Sequence, residues 1–238
     1  MRFSPFQGVA ETGKSGKFRA IVEIVSTRLK RHPVAVRERM RMIATPPVLE
    51  PTVLPYLKLD GLLREGHFAF RSGSHSAALI DRDRLLTDPI ATSRVAYAMS
   101  RLFFGIKVET VACPSIWGAG LAQWVAYFLE PRAKVVYATP LPEGGRTIAP
   151  NVHSLISGKR VLLVDNVILS GTTMSWLRHQ VEELDGEVVG ECALWDSVAS
   201  AGLATSAIGL FNHLYPAWPA EHCPLCATGD AHPESVPY

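Results

Sequence analysis

Lys159-Arg160-Val161-Leu162-Leu163-Val164-Asp165-Asn166-Val167-Ile168-Leu169-Ser170-Gly171-Thr172-Thr173 is the stretch of this 238-residue chain whose reading decides the fold. Residues 161–164 are apolar without a polar break, the pattern of a strand buried on both faces of a parallel sheet. A carboxylate and an amide, Asp165 and Asn166, stand at its end. A loop of small and hydroxyl residues follows, and 174–184 has helical apolar spacing. Gly171 lets backbone come close to an anion, while Ser170, Thr172 and Thr173 bring hydroxyls beside the amides that a helix start leaves unpaired. Strand, acid, glycine–hydroxyl loop and helix together make a phosphate cradle at the carboxyl edge of an α/β sheet.

Working outward, strands and helices alternate. The pattern predicts a helix over 56–63, a strand and turn over 66–73 and a long helix over 89–104. Strand 108–112 runs through a loop at 113–118 into helix 120–129, and strands follow at 134–137, 161–164, 187–195 and 206–212. This order predicts an α/β fold: a doubly wound, mostly parallel sheet with a small hood and an N-terminal helical extension. Residues 1–50 read as that basic extension and 51–238 as the main domain. Residues 1–45 carry ten Lys/Arg against three Glu. Phe18, Ile21, Val22, Val25 and Leu29 mark an amphipathic helix there, a second basic helix is expected over 34–43, and a proline-rich linker follows at 45–51. Solvated helix faces account for the charge without a nucleic-acid partner.

The chain is 47% apolar, with 18 Gly and 17 Pro, so a sizeable core is available. No stretch reaches the roughly 18 apolar residues of a membrane span, and no cleavable signal is apparent. Four cysteines, two of them inside apolar strand-like segments (Cys113, Cys192), suit a reducing cytoplasm better than a disulfide framework.

The 159–173 segment resembles the phosphoribosyl-diphosphate signature of type I phosphoribosyltransferases: four apolar residues, two acids, two variable residues and a Thr/Ser-Gly-Thr cluster. The resemblance implies that Asp165 and Asn166 take the ribose hydroxyls and that Leu169, Ser170, Gly171, Thr172 and Thr173 take the 5′-phosphate. Asn166 departs from the motif, which has a second acid there. Cys113-Pro114-Ser115-Ile116-Trp117-Gly118 is similar to the pyrophosphate loop of the orotate branch, which implies diphosphate contacts from Pro114, Ser115 and Gly118. Gly66-His67-Phe68-Ala69-Phe70-Arg71-Ser72-Gly73-Ser74-His75-Ser76 resembles that branch's N-terminal signature, with Arg71 as its substrate-side cation.

Between the 113–118 loop and the 159–173 segment, 137–153 is Gly/Pro-rich, and the resemblance implies a lid there with Arg146, its only Lys/Arg, as a diphosphate contact. His153 at its far end reads as satisfying a local hydrogen bond. The resemblance therefore implies transfer of a 5-phosphoribosyl group from phosphoribosyl diphosphate to a nitrogenous base, with orotate favoured, Mg²⁺ on the donor oxygens and a homodimer. A catalytically degenerate relative that binds phosphoribosyl ligands is the alternative.

Two motifs lie outside this reading. Cys223-Pro224-Leu225-Cys226 is a C-x-x-C near His213, His222 and His232, but no second C-x-x-C completes a zinc set, so it reads as a structural tail with no metal. Gly8 to Ser15 fits a P-loop pattern, yet the polar, Pro5-containing residues before it do not make the buried strand that a P-loop follows.

Overall fold

The computed structural model describes residues 61–129, 131–196, 207–211, 217–229 and 232–236. The basic helices, the linker and the P-loop-like run of the extension lie outside these residues, as do 56–60 of the expected helix 56–63.

The main sheet has six strands in the order β5-β4-β3-β6-β7-β8. They are β3 (Thr110–Cys113), β4 (Lys134–Pro140), β5 (Arg146–Ile148), β6 (Arg160–Ile168), β7 (Glu187–Asp196) and β8 (Ile208–Gly209). All neighbours are parallel except β4 and β5. The four-residue apolar run behaves as its composition demands. Leu162 and Val164 enter one core and Val161 and Leu163 the other, all of them fully enclosed. That double burial is why the run shows no polar alternation.

The first core packs under α2 (Pro89–Arg101) and α3 (Ile116–Phe128), the second under α4 (Thr172–Glu183). α2 starts cleanly because the Asp88 carboxylate accepts from the amides of Ile90 and Ala91 and Pro89 occupies the first turn. On β7 the register slips by one against β6, placing Gly190 opposite Leu162. A Cβ at Gly190 would stand 2.4 Å from the Phe103 ring, so the missing side chain is what lets that ring lie on the sheet. No helix among the described residues is long and apolar enough to cross a membrane.

A second sheet of four strands, β10-β1-β2-β9, forms the hood. β1 (Leu63–Ala69) and β2 (Ser74–Ile80) make an antiparallel hairpin with a register shift between Glu65 and Phe68. β9 (Ala217–Pro219) pairs with β2, and β10 (Glu234–Ser235) pairs with β1. A short helix α1 (Arg82–Thr87) leads from the hood toward α2, and α5 (Pro224–Thr228) follows β9.

Three expectations are corrected. Leu63 is not the end of a helix; it opens β1, buried and paired with Ile80, because tertiary pairing overrides a weak local preference. Helix α3 begins at Ile116, four residues earlier than its spacing implied, which shortens the preceding loop to Pro114 and Ser115. The lid segment is not a loop throughout: β4 runs on to Pro140, Gly144 and Gly145 take φ of 97° and 81° in the turn, and β5 returns antiparallel. A 3₁₀ segment, Pro150–Leu155, completes it.

Candidate active site

The chain leaves β3 for β4 on one side of the sheet and returns to β6 and β7 on the other. β3 and β6 are therefore neighbours whose onward connections diverge, and the crevice beyond their carboxyl ends is the topological switch point where α/β sheets hold ligands. Pro114 and Ser115 lie at the end of β3, and Asp165 and Asn166 lie near the end of β6.

Asp165 is the centre of the arrangement. One carboxylate oxygen accepts the Asn166 amide at 2.7 Å. A Cβ on Gly118 would come within 3.9 Å of that same oxygen and 3.3 Å of Cys113 Cβ, so glycine in the first turn of α3 keeps the helix close to the carboxylate. Burial pushes the Asp165 carboxyl up to about 6, against the lowering effects of the Asn166 amide and of Arg82 and Arg146. Burial, then the Asp165 charge, raises the Cys113 thiol to about 12, which leaves it inert as a nucleophile.

Asn166 is 2% exposed. Its Nδ2 donates to the Trp117 carbonyl at 3.2 Å, and its Oδ1 is enclosed without a hydrogen-bond partner among the described residues. The amide thus reaches into the β3–α3 turn. Trp117 itself is 63% exposed.

Arg146, on β5, bends toward the same turn. Its Nη1 donates to the Pro114 carbonyl at 3.3 Å and its guanidinium lies 5.5 Å from the Trp176 ring centroid. The β4–β5 hairpin, the β3–α3 turn and the first turns of α4 are joined by this one side chain. His153 Nε2 lies 2.9 Å from the Ile148 carbonyl, a local bond within the same segment, as expected.

The phosphate loop follows β6 directly. Gly171 takes φ of 77° and caps α4 with no side-chain hydrogen bond, so the first amides of α4 are left for a ligand. Ser170 Oγ and Thr172 Oγ1 stand 2.9 Å apart on the loop's exposed side, and Leu169 packs back against the core.

Arg71 occupies the exposed tip of the β1–β2 hairpin, held in a tight turn by Gly73 at φ of 81°. The adjacent Phe70 packs its ring 5.6 Å from that of Trp195, which pairs with Val167 one strand over from the site. No direct contact joins Arg71 to Asp165. Arg82 was invisible to sequence reasoning: nothing marks it apart from other surface arginines, and only the placement of α1 brings its charge to bear on Asp165.

No family model matches the chain. It is 33% identical over 178 residues to a protein of Thermus thermophilus named orotate phosphoribosyltransferase, spanning 74% of this chain and 96% of that one. A protein of the same name from Desulforamulus reducens is 29% identical over 170 residues, 71% of this chain and 87% of its own length. Among solved structures, orotate phosphoribosyltransferase from Aeropyrum pernix aligns with a TM-score of 0.47 and 23% identity, covering 68% of this chain and 98% of that chain.

Proposed function

This chain belongs to the orotate phosphoribosyltransferase family, and on that premise we propose that the Asp165 crevice carries out the family's reaction with the residues described above. The chain is a pentosyltransferase. It moves a 5-phosphoribosyl group from phosphoribosyl diphosphate to orotate: the C1–O bond to pyrophosphate breaks, and a C1–N bond to the base forms. The observation that carries this reading is the place of Asp165 at the switch point between β3 and β6, on the strand that runs on into the glycine-capped start of α4.

The division of labour follows from the geometry. Asp165 accepts hydrogen bonds from ribose hydroxyls, and its negative charge favours the positive charge that grows on the ribose ring as pyrophosphate leaves. The amides and hydroxyls of 169–173 hold the 5′-phosphate at the α4 N-terminus. Arg146, with the Pro114–Ser115 turn and Gly118, takes the departing diphosphate, and Arg71 reaches it from the hood. Asn166 acts at one remove: its amide fixes the Trp117 turn, leaving Asp165 as the acidic partner of the ribose.

The donor set fits Mg²⁺, which binds through one or two carboxylates together with substrate phosphates and retained waters. Asp165 would be the carboxylate that holds it beside the diphosphate, where such an ion would offset charge on the diphosphate oxygens. The protein is proposed to work as a homodimer through the outer face of α2 and α3, where Ile90, Tyr97 and Tyr127 are each about half exposed or more, Trp124 stacks on Phe128 and Tyr127 meets both rings edge-on. The buried thiols of Cys113 and Cys192, in no disulfide, support a reducing, cytoplasmic setting.

Incubation with phosphoribosyl diphosphate, Mg²⁺ and a panel of bases tests the reading. Pyrophosphate release that depends on orotate is expected. Saturable donor binding without turnover on any base would overturn it.

A further inference from the structure

The hood brings together four side chains that the reaction does not use. His67 lies on β1 at the register shift and His75 lies on β2, diagonally across the hairpin; Cys223 and Cys226 flank the start of α5. Their ligand atoms all fall within 4.8 Å of one another. His67 Nε2 is 3.1 Å from His75 Nδ1, 3.5 Å from Cys223 Sγ and 3.6 Å from Cys226 Sγ, and Cys226 Sγ is 3.3 Å from His75 Nδ1.

Hydrogen bonding alone does not account for this packing. An imidazole nitrogen has either one proton or one lone pair, and His67 Nε2 meets three heteroatoms at once. A single cation at the centre satisfies all four. Zinc bonds of about 2.0–2.1 Å to nitrogen and about 2.3 Å to sulfur set tetrahedral edges of about 3.3 Å between nitrogens and about 3.6 Å between nitrogen and sulfur. The distances found are 3.1 Å for the nitrogen pair and 3.3–3.6 Å for three of the four mixed pairs, with every ligand atom within 4.8 Å of every other. Two imidazoles and two thiols are also the ligand set that borderline-soft Zn²⁺ prefers. His67, His75 and Cys223 are buried, while Cys226 is exposed and leaves an entry path.

We propose that His67, His75, Cys223 and Cys226 form a closed, tetrahedral structural zinc site that fastens the α5 segment to the β1–β2 hairpin. Four protein ligands leave no open position, so the ion is structural and not catalytic. The site does not depend on the phosphoribosyl reading, since none of its ligands lies in the Asp165 crevice.

Metal analysis of the full chain, purified under reducing conditions without chelator, is expected to give one zinc per chain. Cobalt substitution should produce the ligand-field bands of a tetrahedral centre with thiolate-to-metal charge transfer. Because Cys226 is exposed, Cys226→Ser is expected to fold, to lose both the zinc and the charge-transfer band, and to melt at a lower temperature. Cys223→Ser should do the same for the metal. Reduced protein that takes up no zinc after incubation with Zn²⁺ would overturn the site. So would stoichiometric zinc retained in both serine variants, or a Cys223–Cys226 disulfide that binds no metal once reduced.

Discussion

Asn166 Nδ2 donates to the Trp117 carbonyl at 3.2 Å, so a single enclosed side chain ties the end of β6 to the first turn of α3. An aspartate there restores the second acid of the motif but loses the donor and places a charge where exposure is only 2%. Asn166→Asp is expected to lower the melting temperature by about 2–10 °C, the cost of an unmade buried hydrogen bond in a chain of this size. It should leave turnover no higher than in the parent. A variant that melts unchanged and turns over faster would mean that the amide does not hold the turn.

Asp165 sets a pH dependence. With its carboxyl near 6, the charged form that holds ribose dominates only above that pH. Donor affinity is expected to fall as pH drops through about 6, and Asp165→Asn should bind weakly at every pH with no such transition. Stability runs the other way. The folded protein holds this proton more tightly than a free carboxylate of 3.8 does, so this group's contribution to stability declines as pH rises from about 4 to 6. Asp165→Asn should therefore gain about 1–3 kcal/mol over the parent at neutral pH and little at pH 4. Chemical denaturation at the two values measures it.

Arg146 and Arg82 act on Asp165 in the same direction but do different work. Arg146→Ala removes a cation in contact with the diphosphate turn and is expected to reduce kcat about 10²-fold or more. Arg146→Lys should recover little, because a compact ammonium neither forks nor stacks on Trp176 as the guanidinium does. Arg82→Ala removes the larger of the two cationic effects on Asp165 and is expected to move the pH midpoint for donor binding upward while largely sparing kcat at pH 8. Pyrophosphate-release kinetics across a pH series separates the two.

Gly190→Ala places a Cβ 2.4 Å from the Phe103 ring, itself 1% exposed and unable to retreat. Overpacking of this kind costs about 1–3 kcal/mol. Gly190→Ala combined with Phe103→Leu should recover part of the loss, and equal unfolding midpoints for parent and single variant would count against the close approach.

β6 was legible because a strand enclosed on both faces leaves an uninterrupted apolar run, and the cradle after it was legible because glycine and hydroxyls there have few other uses. The start of α3 was not, since Gly118 looks like loop punctuation until its closeness to Cys113 and Asp165 explains it. Arg82 gains its role only from where α1 ends up. The C-x-x-C was visible, but the nearby histidines drew attention instead of its partners. His67 stands 156 positions from Cys223 and His75 151 from Cys226, and they meet the cysteines only after the hood has formed. His222, by contrast, sits exposed beside Glu221.

The pairing of β1 with β10 has a consequence for how the molecule is made. Arg64 and Glu234 are joined by a two-pronged ion pair across 170 positions of chain. At about 5–20 residues per second, a ribosome needs about 10–30 s to deliver the second partner after the first. The β1–β2 hairpin therefore emerges early with both its edges bare, and β9 and β10 are made only after every strand of the sheet bearing Asp165. Chains interrupted before β9 will carry the phosphate cradle but leave both hairpin edges unpaired, and an unpaired hairpin edge of this kind is where a chaperone would be needed first.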